Sequence, residues 1–401
     1  MQNSSRTLAA SRVFLAISSA LSFMAPAPAA SAASGPVLNS SAAWSGKALS
    51  YSKSNDSTFP VSGLSLQVRA AAPGHLALSI ADGLTVSATN SGKQGTAIGI
   101  NFSTKDTEIT GDSLSVAATS LSQDLKGKGG TGAGVVKGIC LNNAYGSNDA
   151  GSRLSVDSAS IKAEAVNDAE VDTLEIGSGT FLNASGKNLT VEAASNTFYG
   201  TAISSVNIST PMQNSLHYSE SIRVISTNQG GNTAYGIRNA GLMSLASEGS
   251  IAITASSDRG GAQALMNTQS GVLSISAPDI SIEATGRSAS CAARVHRYAA
   301  ADSKILIGSE SSRLTLLGDL VNESQNAAEI SVTGKSGSFT GAASSSDSGI
   351  IRLSLGDAAW NVTKSSSLSS LSMGEGGLLN LSYAGERASS GYRSLKAESL
   401  A

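Results

Sequence analysis

Ile251-Ala252-Ile253-Thr254-Ala255 and, further on, Ile280-Ser281-Ile282-Glu283-Ala284 decide the fold. In each, apolar and polar residues alternate strictly and β-branched residues hold the apolar positions. That is the period of a strand with one buried face, not of a helix. The phrase recurs upstream as Leu84-Thr85-Val86-Ser87-Ala88, Leu114-Ser115-Val116-Ala117-Ala118 and Leu154-Ser155-Val156. It returns as Leu189-Thr190-Val191-Glu192-Ala193 and Ile222-Arg223-Val224. Successive copies begin 30, 40, 35, 33, 29 and 29 residues apart. Self-similarity on that scale marks stacked structural units.

A second phrase lies between several of these strands. It reads Gly95-Thr96-Ala97-Ile98-Gly99-Ile100, then Gly200-Thr201-Ala202-Ile203, then Thr233-Ala234-Tyr235-Gly236-Ile237. Gly132-Ala133-Gly134-Val135-Val136 and Gly261-Ala262-Gln263-Ala264-Leu265 are looser copies. Each unit thus holds at least two short strands, separated by Ser, Asn, Gly and Asp clusters that read as turns. A strand of three to five residues cannot bury its apolar side alone. Stacking one coil on the next pairs its backbone and builds a narrow, continuous core. An all-β solenoid follows, with one coil or two tight ones in each unit.

Composition agrees. Only 4% of the 401 residues are aromatic and 14% charged, while 40% are hydrophobic, so apolar residues are plentiful but small. That apolar fraction is too high for a disordered chain. The net charge of −2 gives no electrostatic case for nucleic acid. Cys140 and Cys291 are the two cysteines, too few and too far apart for a disulfide framework. Two free thiols or one long-range bridge both fit.

The pattern is interrupted in three places. Lys126-Gly127-Lys128-Gly129-Gly130-Thr131-Gly132 reads as a loop pushed out of a coil. Residues 286–303 break the repeat and gather Arg287, Arg294, His296 and Arg297. A solvated loop is the expectation there, with a ligand patch as the alternative. Residues 33–60, with Trp44 and Phe59, have little repeat character and are expected to cap the first coil or link to it.

The N-terminus carries an export signal. Arg6 and Arg12 precede an apolar run from Val13 to Met24, too short to span a bilayer comfortably. Ala30-Ser31-Ala32 then offers a small-x-small cleavage site before Ala33. Residues 1–32 are therefore expected to be a signal peptide, with the β-helix over 61–385.

Near the C-terminus, Leu353-Ser354-Leu355-Gly356-Asp357-Ala358-Ala359-Trp360-Asn361-Val362 leads into Ser366-Ser367-Leu368-Ser369-Ser370-Leu371-Ser372-Met373. Gly376-Gly377-Leu378-Leu379-Asn380-Leu381 follows. Physically this is three more strands and a turn, with Trp360 placed to cover the stack. The stretch also resembles the last coils of autotransporter passenger domains of the pertactin-like kind. Tyr392-Arg393-Ser394-Leu395 onward looks like the start of the autochaperone segment of that family, over residues 386–401. The resemblance implies a right-handed parallel β-helix displayed at the Gram-negative outer membrane after export through Sec by the N-terminal signal, with a periplasmic or secreted protein as the alternative if the barrel is truly lacking. It also implies a C-terminal outer-membrane β-barrel translocator as partner. The chain carries no run of alternating ~10-residue strands with aromatic girdles, so a truncated or split member is expected.

Catalytic signatures lack their context. Gly111-Asp112-Ser113-Leu114-Ser115 matches the opening motif of GDSL esterases, whose nucleophile needs a downstream Asp-x-x-His. Ala72, Asn214 and Ala293 stand three positions before His75, His217 and His296, so none qualifies. Gly127 to Gly132 matches G-x-G-x-x-G without the strand, helix and acidic residue that a dinucleotide site requires. Asp168, Glu170, Asp172 and Glu175 are the densest acidic group, expected on a hydrated surface. No residue is assigned a catalytic, cofactor-binding or metal-ligating role. The expected function is a non-catalytic adhesin or interaction stalk contacting a host-cell or matrix ligand. A secreted β-helix enzyme degrading polysaccharide is the alternative, and a fragment without function of its own a third.

Overall fold

The computed structural model describes residues 37–38, 42–44, 47–53, 61–66, 76–91, 95–102, 106–121, 134–141, 150–166, 169–206, 213–385 and 393–401, all within the compact unit Ala32–Ala401. The expected signal peptide and the Lys126–Gly132 loop lie outside the described residues.

Every regular element among the described residues is a strand, and every strand pairing is parallel. Each coil contributes three faces. The first face is a sheet of eleven strands, one per coil, running from Val37–Leu38 and Val61–Leu66 through Ala97–Phe102 to Asp319–Asn322 and Ala343–Ser345. The second and third faces share one ladder, because several strands turn the corner between them. Gln213–Asn228 is one such strand, and it pairs with both Leu242–Ser247 and Ser250–Ser257 of the next coil. Forks of this kind close the ladder on itself, but each pairing still joins strands one coil apart.

Among the described residues the stack is already formed at Val37, within the segment expected to cap the first coil or link to it. Val37–Leu38, Ala42–Trp44 and Lys47–Lys53 pair with the three faces of the following coil. Residues 286–303 likewise do not interrupt it. Ser290–Val295 is a first-face strand in register with Ala262–Asn267 before it and Asp319–Asn322 after it.

The core is a set of rows, each one residue per coil. On the first face Ile100, Ile139, Leu174, Ile203, Ile237 and Leu265 align and are fully buried. On the third face the row runs Val86, Val116, Ile161, Val191, Val224, Ile253, Ile282 and Leu316 to Phe339 and Trp360. Its two aromatic members, Phe339 and Trp360, follow the two shortest steps along the row. Phe339 and Trp360 stack at 5.3 Å, and the Trp360 indole N–H donates to the Gly341 carbonyl at 3.1 Å. Trp360 is thus a core residue with Leu379 paired beyond it, not the lid of the stack.

One repeat copy belongs elsewhere. Leu154 aligns with Ile109 and Ala184 on the second face. The third-face copy in that coil is Ala159-Ser160-Ile161-Lys162-Ala163, which aligns with Leu114 to Ala118. Alternation looks the same on both faces of one long strand, so a strong Leu-Ser-Val phrase masked the weaker Ala-led one.

Asparagines close the turns after the first face. The Asn267 amide donates to the carbonyls of Gly271 at 2.6 Å and Lys304 at 2.7 Å. Asn322 does the same for Ala328 at 2.7 Å and Ile350 at 3.0 Å. These buried amides satisfy carbonyls that the turn would otherwise leave unpaired.

Candidate functional site

The first face is bent inward along its length. A strand alternates sides, so two successive inward residues break the pattern and fold the strand toward the core. Gly99-Ile100, Thr173-Leu174 and Gly236-Ile237 are such pairs, each flanked by outward residues. The bend brings the first face hard against the third. A Cβ on Gly99 would stand 2.3 Å from a Val116 methyl, and one on Gly138 2.6 Å from an Ile161 methyl.

Outside, the bend makes a furrow. Residues i and i+3 of a flat strand point to opposite sides; here they meet. Lys137 Nζ lies 3.9 Å from Cys140 Sγ, and the Arg238 guanidinium sits 6.0 Å from the Tyr235 ring centre. One wall carries Asp172, Thr201, Tyr235, Gln263, Cys291 and Asp319 in successive coils. The other carries Cys140, Glu175, Ser204, Arg238, Met266 and Arg294. Although these side chains face away from the core, Thr201, Gln263 and Met266 are buried at 1%, 4% and 7% exposure.

Two groups of charge occupy the furrow. Toward the N-terminal coils, Lys137 pairs with Glu175 beside Asp172. Burial, reinforced by Glu170 and Glu175, pushes the Asp172 carboxyl up to about 7, against Lys137 and a hydrogen bond with Thr201. Glu170, Asp172 and Glu175 are thus half-buried rather than on the hydrated surface expected from sequence, and Asp168 lies outside the described residues.

Toward the C-terminal coils the charge is positive. Arg294 holds Glu323 through both its Nε, at 3.3 Å, and Nη2, at 2.8 Å. Arg297 lies 4.5 Å from the centre of the Tyr298 ring, and His296 packs on the same ring at 5.2 Å. Burial first, then Arg294, hold the His296 imidazole below its usual pKa; Arg297 and Arg238 act in the same direction and Glu323 opposes them. Tyr199 and Tyr235 lie 6.0 Å apart on the adjoining coils.

The basic cluster read from sequence is therefore regrouped. Arg287 precedes the strand Ser290–Val295 while His296 and Arg297 follow it, so Arg287 stands at the other edge of the face. Arg238, two coils earlier, takes its place. Sequence reading missed Arg238 and Tyr235; the doubled inward step at Gly236-Ile237 was the signal that would have found them.

The other sequence candidates do not converge. Ser113 aligns with Ser158 on the stack and lies three coils from the strand bearing His217. His217 faces Glu248 at 3.8 Å, and His75 lies outside the described residues. Cys140 and Cys291 are both buried and free. Five coils separate them, roughly 24 Å at the spacing of neighbouring strands, far beyond disulfide reach. Burial pushes their thiols up to about 12 and about 11. Among the described residues no three His, Cys, Asp or Glu side chains gather as metal ligands would.

Compared with known proteins, the chain matches no family model, no curated protein and no solved structure.

Proposed function

We propose that this protein is an exported, right-handed parallel β-helix of the autotransporter-passenger kind, displayed at the cell surface as a non-catalytic adhesin or interaction stalk. The furrow along the first face is the observation that carries this reading. It repeats a pair of largely polar walls, broken by Cys140, Met266 and Cys291, through successive coils, which suits an extended ligand lying along the stack rather than a small molecule in a closed pocket. The export signal expected at residues 1–32 and the C-terminal resemblance support the destination. The test is protease added to intact Gram-negative cells producing the protein, with sequencing of its N-terminus. Cleavage before Ala33 and loss of the protein to external protease are expected. Protein retaining Met1 and protected inside the cytosol would end the reading.

The pairing of Asp172 with Glu175 and Lys137 favours a second reading, a polysaccharide-degrading β-helix enzyme. A carboxylic acid still protonated near neutrality beside a second carboxylate can serve in general acid–base work at a glycosidic bond. Release of reducing ends from a polysaccharide, abolished by Asp172→Asn, would establish it.

A further inference from the structure

The cations near the C-terminal end of the furrow exceed the acids that could neutralise them. Three arginines, Arg238, Arg294 and Arg297, act together on His296 and Glu323 opposes them, while Asp319 on the wall of the next coil is held by Lys364 at 2.8 Å. Glu323 is spent on Arg294 through a forked contact. Arg238 and Arg297 are exposed and have no carboxylate partner among the described residues. Each instead lies against a tyrosine ring. A guanidinium held on an aromatic face keeps its hydrogen-bonding edge free for an oxyanion. Tyr298 is 65% exposed even with Arg297 and His296 beside its ring.

We propose that Arg238, Arg297, Tyr235 and Tyr298 form a binding site for a carboxylated polysaccharide, its chain lying along the stack. This deepens the surface-binding reading above and rests on it. Arg238 belongs to the strand Ala234–Asn239 and Arg297 follows Ser290–Val295, two coils on. The two guanidiniums are therefore offset along the stack by roughly 10 Å, which suits carboxylates on alternate sugars rather than a dense row of charge. Tyrosine rings offer flat apolar faces for sugar rings. A peptide fits less well, because the backbone groups of the first face are consumed by coil-to-coil pairing and leave no edge for strand addition. A long uniform polyanion such as DNA is disfavoured, since the same furrow turns acidic at Glu170, Asp172 and Glu175.

The experiment is titration of the purified full chain with hyaluronate oligosaccharides, which carry carboxylates and no sulfates. Neutral dextran and dextran sulfate serve as comparators, at low and physiological salt. Hyaluronate is expected to bind, more weakly as salt rises, with dextran silent. The double variant Arg238→Ala/Arg297→Ala is expected to lose at least tenfold in affinity, and Tyr298→Ala to weaken binding too. Arg223→Ala, an exposed arginine on another face, is expected to leave it unchanged. Both arginines are exposed, so an unchanged melting curve will show that the double variant folds. Equal binding of dextran, binding of dextran sulfate alone, no binding of hyaluronate, or undiminished binding by the double variant would each overturn the site. Any of these leaves surface display standing, because that is judged separately by protease access to intact cells.

Discussion

At the scale of single residues, two side chains work against the fold that holds them. Tyr218 is fully buried in the core and its hydroxyl has no hydrogen-bond partner. A buried polar group left unsatisfied is costly. Tyr218→Phe is therefore expected to raise stability by about 1 kcal/mol, read as a higher midpoint in denaturant unfolding. Asp172 carries the opposite kind of strain. Its carboxyl is held at about 7 in the folded state against an ordinary value of 3.8. The folded chain thus binds this proton more tightly than the unfolded chain does. The stabilising contribution is present in full at low pH and is lost as pH rises through about 7. Asp172→Asn is expected to gain on the order of 1–3 kcal/mol relative to the parent at pH 8, and nothing at pH 4. Melting curves at the two pH values check the sign.

At the scale of the strand, the doubled inward step governs which residues fit. Gly236 occupies it on one first-face strand, and a Cβ there would lie 2.5 Å from the Ala264 carbonyl oxygen and 2.9 Å from an Ile253 methyl. Gly236→Val is expected to cost about 1–3 kcal/mol through overpacking, whereas Ile98→Val, on the outer side of the same face, is expected to cost much less. The alternation of the strands was plain in the sequence, because a period of two survives almost any choice of residues. The corner was not. Leu154 to Val156 and Ala159 to Ala163 lie on one strand, Ala150–Ala165, and only the coil-to-coil register assigns each to its face. The charged groups were harder still. Arg238 and Arg297 are brought together by stacking across an intervening coil, and nothing in their local sequence announces the partnership. Asp172 and Glu175 were visible as a cluster, but the bend that half-buries them follows from Thr173 and Leu174 both turning inward.

At the scale of the whole stack, each coil touches only its neighbours, so stability should approximate a sum over coils and their interfaces. Ala234 aligns with Ala262, a step of 28 residues, as Asn239 aligns with Asn267. Deleting residues 234–261 would join Thr233 to Ala262 and preserve every row. That shortened protein is expected to keep the same far-ultraviolet circular dichroism per residue and to unfold at somewhat lower denaturant. Deleting half as many residues would put inward side chains on the wrong face, and is expected to abolish cooperative unfolding. The two deletions together separate a true repeat from mere tolerance of loss.

The two unpaired cysteines turn this modular stack into its own clock. Cys140 and Cys291 sit five coils apart in the same furrow, sealed and reluctant to ionise while their coils are closed. An alkylating reagent can reach either sulfur only when that stretch has opened. The relative speed of labelling at the two positions therefore reports which end of the molecule frays first, without engineering any residue into the chain.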